Sequence, residues 1–416
     1  MKKVILLLIG ACLEQSGISQ VKILFDATKA ESAANADWVI DADLHNMGWN
    51  PGASVGGGNE SNAQKIPTPA QSGITSSTPE TFWAGSLSNW GVDCAKKGYI
   101  VESLPYNGQI TYGNTSNMQD LSNYKVFIVD EPNILFTSAE KIALMNFIQN
   151  GGGLFLISDH TVSDRNNDGN DSPMIWNDFI TNNGVHNNPF GFSFDLQNFS
   201  QTSTNVATLP GDSALHGPMG TVTEVQWSNG TSMTLVPSQN SSVKGVVYKT
   251  GASNTGTTNA LCVYARYGCG KVAAIGDSSP PDDGTGDPND NSLYNGYITD
   301  AAGNHQKLLM NLTIWLAEGT CNTTEIQTNN HVNEVWLFPN PTSTKAIIQF
   351  ANTSLNNSTL TILNINGEEV KPLMTHNRNR GNEQYELDTT DLPAGIYYCK
   401  VNINSNVIAK KLVVLK

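Results

Sequence analysis

Charged side chains, basic residues and long apolar runs are all scarce in this sequence. Charged residues make up 14% of the 416 positions, and 23 Lys and Arg face 37 Asp and Glu, for a formal net charge of -14. Such acidity argues against a nucleic-acid backbone or an anionic membrane surface as the main partner. It suits a soluble secreted protein, and loop carboxylates also suit divalent cations. Plain solubility explains the same composition equally well.

The one long apolar run lies at the N-terminus, where Met1-Lys2-Lys3 is followed by VILLLIGACL. A positive start and a short apolar stretch predict an export signal over residues 1–20, cleaved near Ser19-Gln20. The run is too short to span a bilayer, and no other segment predicts a transmembrane helix. Residues 9–12 also resemble a lipobox, so lipidation of Cys12 is the alternative.

Cysteine is too sparse and too irregularly spaced for a disulfide framework. After signal removal five would remain, an odd number without any CxxC metal pattern, so one or two bridges are the most we expect. A predicted hairpin around Tyr267–Gly270 places Cys262 opposite Ile275, which argues against a bridge between Cys262 and Cys269.

The residues that are present alternate between strand and helix patterns. Lys125 to Val129 and Leu154 to Ile157 are short apolar runs typical of buried strands. Between them Thr137 and Glu140 form a capping-box pattern, apolar residues recur at helical spacing, and Gly151-Gly152-Gly153 ends the helix. The stretch therefore predicts a right-handed β-α-β unit.

Further elements extend this unit along the chain. The patterns predict strands at Val21–Phe25 and Tyr99–Leu104 and a hairpin over residues 259–275. They predict helices over Ala30–Ile40, from Thr78 to near Gly98, over Ser172–Asn183 and over His305–Ala317.

Together these elements indicate an α/β domain over residues 21–319 with a doubly wound, mostly parallel sheet. Residues 320–334 are polar and aperiodic and are interpreted as a linker. Short alternating runs in residues 335–416 predict a small all-β sandwich.

Polar chemistry follows several predicted strands directly. In an open parallel sheet, ligands bind outside the carboxyl ends of the strands, so we expect these side chains to converge. The residues concerned are Asp26, Asp130, Glu131, Asp159, His160, Asp277 and Ser278.

Converging carboxylates repel one another, which raises their pKa values or requires a cation. A divalent cation bound by several of these carboxylates and by His160 would relieve the repulsion and activate water. Alternatively, His160 is a general base oriented by a carboxylate. The candidate catalytic residues are His160, Asp159, Asp277 and Glu131. The structural alternative is that each carboxylate caps a turn or helix.

A second acidic feature is the loop Asp164-Arg165-Asn166-Asn167-Asp168-Gly169-Asn170-Asp171. Carboxylate or amide side chains at alternate positions before a glycine match the first half of an EF-hand calcium loop. Position 12 is Ile175, so the bidentate Glu is missing and Asp171 or residues from elsewhere must complete the shell. The predicted Ca²⁺ ligands are Asp164, Asn166, Asp168 and Asp171, and a metal-free Asn/Asp-rich turn is the alternative.

The last eighty residues resemble the C-terminal sorting domain of the type IX secretion system of Bacteroidetes. The matching runs are Phe338–Pro341, Leu363–Gly367, Leu392–Tyr397 and Lys410–Val414. This resemblance implies export through the periplasm and across the outer membrane, contact with the type IX secretion machinery, removal of the domain, and surface attachment or release.

Residues 21–319 are similar to the class I glutamine amidotransferase-like superfamily, especially its trehalose-utilisation (ThuA-like) branch. The similarity rests on Leu121 to Val126, on the helix ending at Gly151–Gly153, on the strand to Asp159, and on Gly270 to Asp277. The amidotransferases place a nucleophilic Cys where this chain has Ser158-Asp159-His160, so Cys-dependent glutamine hydrolysis is not supported.

The resemblances and the export route lead to one expectation of function and one alternative. We expect a secreted, surface-delivered, metal-dependent hydrolase of an extracellular glycan or related polymer. The alternative is a non-catalytic, calcium-stabilised binding or adhesion protein on the same scaffold. Trp49, Trp83, Trp90, Trp176 and Trp227 suggest a sugar-stacking platform, but their spacing favours the core for most of them.

Overall fold

The computed structural model describes residues 20–33, 36–41, 69–79, 82–83, 85–283, 296–299, 304–319, 335–338, 340–352, 358–376, 381–403 and 406–416. The chain divides into two compact units, Met1–Cys321 and Asn322–Lys416, called unit 1 and unit 2 below. Most of the predicted export signal, Cys12, Trp49 and the predicted linker 320–334 lie outside the described residues. Within those ranges no helix has the length and apolarity needed to cross a membrane.

The described part of unit 1 contains helices and strands in alternation over its first half. Its helices are α1 Ser88–Lys96, α2 Ser138–Gln149, α3 Ser172–Thr181 and α4 Asn304–Ala317. Its strands are β1 Lys22–Asp26, β2 Ser32–Ala33, β3 Ala36–Asp37, β4 Ile100–Leu104, β5 Val126–Asp130, β6 Gly153–Ile157, β7 Phe192–Phe194, β8 Phe199–Ser203, β9 His216–Gly217, β10 Gly220–Thr221, β11 Val225–Gly230, β12 Met233–Leu235, β13 Lys244–Tyr248, β14 Ala260–Tyr267 and β15 Gly270–Ile275.

A mixed sheet forms the centre of unit 1. Its order is β4-β1-β5-β6-β15-β14-β12-β7, with β13 also paired to β14. The pairs from β4 to β15 are parallel, and β15 continues into an antiparallel region through the β14–β15 hairpin. The prediction of an α/β protein with a mostly parallel central sheet is confirmed. In chain order the parallel strands run 2-1-3-4-5, so the strand order reverses between β1 and β5, where an open α/β sheet binds ligands.

Two adjacent glycines show how the helices cover both faces of this sheet. A Cβ on Gly152 would lie 2.3 Å from Phe147 of α2, and a Cβ on Gly153 would lie 2.8 Å from Leu316 of α4. Gly152 immediately precedes β6 and Gly153 begins it, and neighbouring positions along a strand face opposite sides of the sheet, so α2 and α4 lie on opposite faces. Trp90 of α1 contacts Phe155 edge to face and donates to Thr313 of α4, which places α1 beside α4. Such double coverage explains why β5 and β6 are buried along their whole length.

The predicted capping box of α2 is present. The Thr137 hydroxyl accepts a hydrogen bond from the Glu140 amide, and the Glu140 carboxylate accepts one from the Thr137 amide. Glu140 also forms an ion pair with Lys29 at 2.7 Å, so the same residue joins the start of α2 to the segment after β1.

The predicted helix over Ala30–Ile40 is wrong. Residues 32–33 and 36–37 form a two-residue antiparallel pair instead, after Ala30 in the left-handed region at φ 53°. The Trp38 amide bonds to the Glu31 carbonyl, and its indole N–H reaches Glu131 at 3.0 Å. The spacing of apolar residues in this segment favours a helix, but the hydrogen bond from Trp38 to the distant Glu131 holds the segment in a different conformation.

The helix predicted from Thr78 begins ten residues later, at Ser88. Its N-terminus is capped by a residue far along the chain, because Asp283 accepts hydrogen bonds from the Ser88 hydroxyl and the Asn89 amide, both at 3.0 Å. No local residue supplies that cap, so the sequence around Thr78 contains no signal for it.

The hairpin β14–β15 has the predicted register. Cys262 lies opposite Ile275. Cys262 is a free, buried thiol and Cys269 is disulfide-bonded, so the argument against a bridge between these two residues is confirmed.

Unit 2 is a β-sandwich in its described residues. Its strands are β16 Val335–Phe338, β17 Lys345–Asn352, β18 Ser358–Leu363, β19 Glu369–His376, β20 Gly381–Asp388, β21 Gly395–Ile403 and β22 Asn406–Val414. They form sheets ordered β16-β17-β20 and β19-β18-β21-β22, all antiparallel. Side chains from both sheets, including Ile348 and Ile362, are fully buried in one core.

Candidate functional site

Acidic side chains gather at the carboxyl ends of the parallel strands of unit 1. Asp130 ends β5 and Glu131 follows it, while Asp159 and Asp277 each come two residues after their strands. Parallel pairing places all these ends at one edge of the sheet, and the loop after β15 adds Asp282. The strand-end cluster is defined as Asp130, Glu131, Asp159, Asp277 and Asp282, which are between 0% and 3% exposed.

Arg165 is the cation that pairs with this cluster. Its Nη2 lies 2.9 Å from Oε1 of Glu131 and 3.0 Å from Oδ2 of Asp159. Arg165 belongs to the loop in which calcium ligands are predicted. Because one guanidinium faces two buried carboxylates, one negative charge of the pair is left without a matching positive charge.

Of the two carboxylates that Arg165 contacts, Glu131 accepts more hydrogen bonds than Asp159. Besides Arg165, its carboxylate accepts from the Trp38 indole at 3.0 Å and from the Ser278 hydroxyl at 2.8 Å. Its backbone is left-handed at φ 42°, a strained conformation for a residue with a Cβ, and such strain concentrates at functional sites.

Asp159 is the member of that pair whose surroundings favour the protonated form. Burial raises its pKa well above the usual value, the negative charge of Glu131 raises it further, and Arg165 opposes both effects. Two of these three effects therefore favour the protonated form of Asp159 over the carboxylate.

His160 stands beside Asp159 at the edge of the cluster. Its Nε2 lies 3.5 Å from Asp159 Oδ2, and its side chain is 13% exposed. Its Nδ1 faces the Thr161 carbonyl at 2.5 Å and the Asn198 amide at 2.9 Å, so both ring nitrogens have protein neighbours. Two residues on, Val162 is left-handed at φ 64° and 80% exposed, which is unusual for a β-branched residue.

Asp277 is tied to the backbone. Its carboxylate accepts from the Ser228 amide at 2.5 Å and from the Ser279 amide at 2.8 Å. Burial nevertheless raises its pKa to about 7, because complete removal from water outweighs those two hydrogen bonds.

Asp130 differs from its neighbours because neither carboxylate oxygen has a hydrogen-bond partner among the described residues. The residue is 1% exposed. Burial raises its pKa well above the usual value, and the charges of Glu131, Asp282 and Asp277 raise it further.

A second acidic pair follows β1. Asp26 and Glu31 are 2% and 0% exposed and hydrogen-bond to each other through their side chains. Burial raises the pKa of Glu31 well above its usual value, and the neighbouring Asp26 charge adds to the effect. Asp26 also accepts from the Thr28 amide at 3.1 Å, so it has a structural role in this turn as well.

The predicted calcium loop is closed by its own hydrogen bonds. Asp164 accepts from the amides of Asp168 and Gly169, and Asp168 accepts from the Asn170 amide and from the Asn166 side chain.

Asp171 has a different task, because it caps α3 through the Met174 amide and accepts from the Val162 amide and the Thr161 hydroxyl. In the described part of the chain, no group of three or more His, Cys, Asp or Glu side chains has the arrangement needed to hold a metal ion.

The structure thus brings Asp159, His160, Glu131 and Asp277 to one edge of the sheet, and it keeps Asp164, Asn166 and Asp168 in the adjoining loop. Ser278 donates to Glu131, as expected of a turn residue. Trp83, Trp90, Trp176 and Trp227 are at most 5% exposed, which confirms the core assignment for these four.

The sequence does not predict that Arg165 and Trp38 contact the strand-end cluster. Arg165 has no special signal beyond its place in an acidic loop, and the pattern around Trp38 is that of a helical core residue. Asp282 has a partial signal, since it begins the acidic stretch DDGTGD after β15.

Comparison with known proteins identifies unit 2. The sequence model of the secretion system C-terminal sorting domain matches residues 336–415. No curated protein matches the chain. Among solved structures, a protein described as "mmIFT52 N-terminal domain" is similar at 13% identity and a TM-score of 0.40, covering 72% of this chain and 98% of that one. The PorZ surface component of the type-IX secretion system of Porphyromonas gingivalis is similar at 10% identity and a TM-score of 0.14, covering 46% of this chain and 21% of that one.

The sorting domain establishes the destination of the protein. A chain that ends in this domain is delivered by the type IX secretion system, so it interacts with that machinery and is secreted or displayed on the cell surface.

Proposed function

We propose that unit 1 is a hydrolase of an extracellular glycan or related polymer, with its acid–base chemistry in the strand-end cluster. The observation that carries this proposal is the burial of five carboxyl groups at the ligand-binding edge of the sheet, where the guanidinium of Arg165 pairs with two of them. Such an arrangement lowers the stability of the fold, because each buried charge without a partner costs several kcal/mol. Proteins retain such costs mainly where ionisable groups do chemistry.

The raised pKa values supply an acid and a base near neutral pH. Asp159 holds a proton and lies beside the partly exposed His160, so it is the group that protonates the leaving oxygen of the scissile bond. Asp277, with a pKa of about 7, accepts the proton of the attacking water. Glu131 and Arg165 fix Asp159 in place, and His160 borders the position where the leaving group would lie. The glycan is suggested by the delivery route alone.

The sequence predicts a divalent cation in this cluster. The two unpartnered oxygens of Asp130 suit a hard cation. The described residues, however, do not form a group of three ligands, so no step of the proposed chemistry passes through a metal. Calcium in the Asp164–Asp171 loop remains a separate proposal with a stability test of its own.

We also propose that unit 1 belongs to the amidotransferase-like superfamily, in or near its ThuA-like branch. The 2-1-3-4-5 order of the parallel strands supports this, and so does the β5-α2-β6 unit, in which Gly151–Gly153 follows α2. The turn Ser158-Asp159-His160 is expected where the amidotransferases have their Cys, and the Ser158 hydroxyl donates to the Asp159 carbonyl at 3.2 Å.

A non-catalytic binding protein is the second candidate. Asp277 is held by two backbone amides and both ring nitrogens of His160 have protein neighbours, which is what a structural role would require. In that case the cluster binds a polar ligand without cleaving it.

One experiment separates the two candidates. The purified secreted protein is incubated with a panel of polysaccharides, and both the release of reducing ends and the retention of protein on each polymer are measured. If unit 1 is a hydrolase, Asp159→Asn and Asp277→Asn should each lower the rate of reducing-end release at least ~100-fold, the size expected for loss of a general acid or base. The matched control is Asp168→Asn in the exposed loop. Retention without cleavage in the wild type would favour the binding protein.

A further inference from the structure

Asp130 is an acidic residue of the strand-end cluster, and the described residues show no cation that compensates its charge. Its two oxygens have no hydrogen-bond partner among the described residues, although it is 1% exposed. By contrast, Glu131 and Asp159 share Arg165, and Asp277 accepts two backbone amides.

Among the described residues, the ionisable groups that act on Asp130 are all carboxyl groups, which carry negative charge when ionised. Glu131 follows it on the chain, Asp277 comes from the end of β15, and Asp282 comes from the loop beyond. The next strand contributes Asp159, whose charge is compensated together with that of Glu131 by Arg165. Lys29, in the turn after β1, forms its ion pair with Glu140.

A carboxyl group in such surroundings is stabilised in one of two ways. It can bind a cation or keep a proton, because an unpaired buried charge costs several kcal/mol. Among the described residues, the charges that act on Asp130 are those of carboxylates, which favours the proton. Burial and the neighbouring carboxylates also raise the pKa of Asp130, which agrees with that choice.

We infer that Asp130 is a neutral carboxylic acid at neutral pH and that its O–H is the hydrogen-bond donor which the strand-end cluster offers to an oxygen atom of the ligand. The second half of this inference rests on the proposed function. A carboxylic acid kept neutral by an apolar or anionic environment can donate a hydrogen bond that a carboxylate cannot. It thereby gives an otherwise acceptor-only cluster a donor for hydroxyl, ether or carbonyl oxygens.

Infrared spectroscopy tests the protonation state without any substrate. The full-length secreted protein at pH 7 is compared with Asp130→Asn, and we expect the difference spectrum to contain the C=O stretch of a protonated carboxylic acid that the variant lacks. Asp159→Asn and Asp277→Asn serve as matched controls, because each removes only its own carboxyl signal. An ionised carboxylate signal at Asp130 would overturn the inference.

Elemental analysis of the same samples tests whether a bound cation, rather than a proton, compensates Asp130. We expect no divalent metal to be lost on replacing Asp130 with Asn. A stoichiometric metal in the wild type that disappears in Asp130→Asn would show that a cation rather than a proton compensates Asp130.

The donor role is tested on any polysaccharide that the protein cleaves. Asp130→Leu should lower kcat/KM at least ~100-fold, since it leaves a ligand oxygen without its donor. Asp130→Asn should lose less, because its amide N–H still donates. Equal losses in both variants would contradict the donor role. If no polysaccharide is cleaved while the infrared signal is present, the proposed function and the donor role fail and the neutral acid stands.

Discussion

Arg165 Nη2 lies 2.9 Å from Oε1 of Glu131, a carboxylate whose side chain is completely buried. The loop that supplies Arg165 comes after β6, whereas Glu131 comes after β5, so this contact joins two strand ends through a side chain. It also limits the negative charge at the strand-end cluster.

Replacing Arg165 with Met should destabilise unit 1 by about 3–5 kcal/mol, because it leaves a buried carboxylate unpaired. Urea denaturation of the purified protein measures this loss. Adding Glu131→Gln to the same variant should recover a large part of it, since the unpaired charge is then absent. Full additivity of the two changes would show that the contact contributes nothing of its own.

The stability of unit 1 should fall as the pH rises from about 4 to 8. The folded-state pKa of Asp277, about 7, lies above the usual value of 3.8, so its proton stabilises the folded state at low pH. That contribution is complete below the unfolded-state pKa and is lost as the pH rises through 7. Asp277 alone lowers the free energy of unfolding by at most about 1.4 kcal/mol for each pH unit in this window, because its one proton is released on unfolding. Asp130 and Asp159 act in the same direction.

Asp277→Asn tests that pH dependence directly. Its unfolding free energy, measured at intervals between pH 4 and pH 8, should have a shallower slope than that of the wild type. The slope is the relevant quantity, because the variant also changes the hydrogen bonds from Ser228 and Ser279. An unchanged slope would mean that Asp277 titrates normally.

Calcium should raise the melting temperature of unit 1 if the Asp164–Asp171 loop binds it. Free calcium at 100 times its dissociation constant corresponds to about 2.7 kcal/mol of stabilisation. The comparison is between melts in calcium and in EDTA, for the wild type and for Asp164→Asn combined with Asp168→Asn. A wild-type midpoint that does not move rejects calcium, and an equal shift in the double variant places the ion elsewhere.

Removing residues 336–415 should stop delivery outside the cell while leaving unit 1 folded. The matched family region is confined to unit 2, and unit 1 has its own core. In a bacterium with a type IX secretion system, the truncated chain should accumulate in the periplasm, whereas the full chain reaches the surface or the medium. Fractionation and immunoblotting measure this. Normal export of the truncated chain would contradict the role of unit 2.

Local patterns in the sequence predict the parts of the fold that depend on neighbours along the chain. The β5-α2-β6 unit, the capping box at Thr137 and the register of Cys262 opposite Ile275 all follow from short-range periodicity and turn chemistry. The fold class follows from their alternation.

Contacts between residues far apart in the sequence account for the two wrong predictions, which are the start of α1 and the helix over Ala30–Ile40. The start of α1 depends on Asp283, which lies 195 positions from Ser88, and the segment around Trp38 depends on Glu131, 93 positions away. The predicted order of strands and helices is enough to predict that the strand ends converge. It does not predict the pairing of Arg165 with Glu131, because that contact again joins residues far apart in the sequence. Topology also places Asp130 at the strand ends, yet only the structure shows that its oxygens lack partners among the described residues.

Two buried free thiols in the described part of unit 1 have a practical consequence for a protein delivered outside the cell. Cys94 and Cys262 are 0% exposed, and burial raises the pKa of each well above its usual value. The reactive thiolate is therefore almost absent, and oxidants in the surroundings meet no nucleophile as long as the sheet and its helices stay closed. Alkylation of Cys94 and Cys262 accordingly becomes an intrinsic reporter of opening, with one label in a helix and the other in the central sheet.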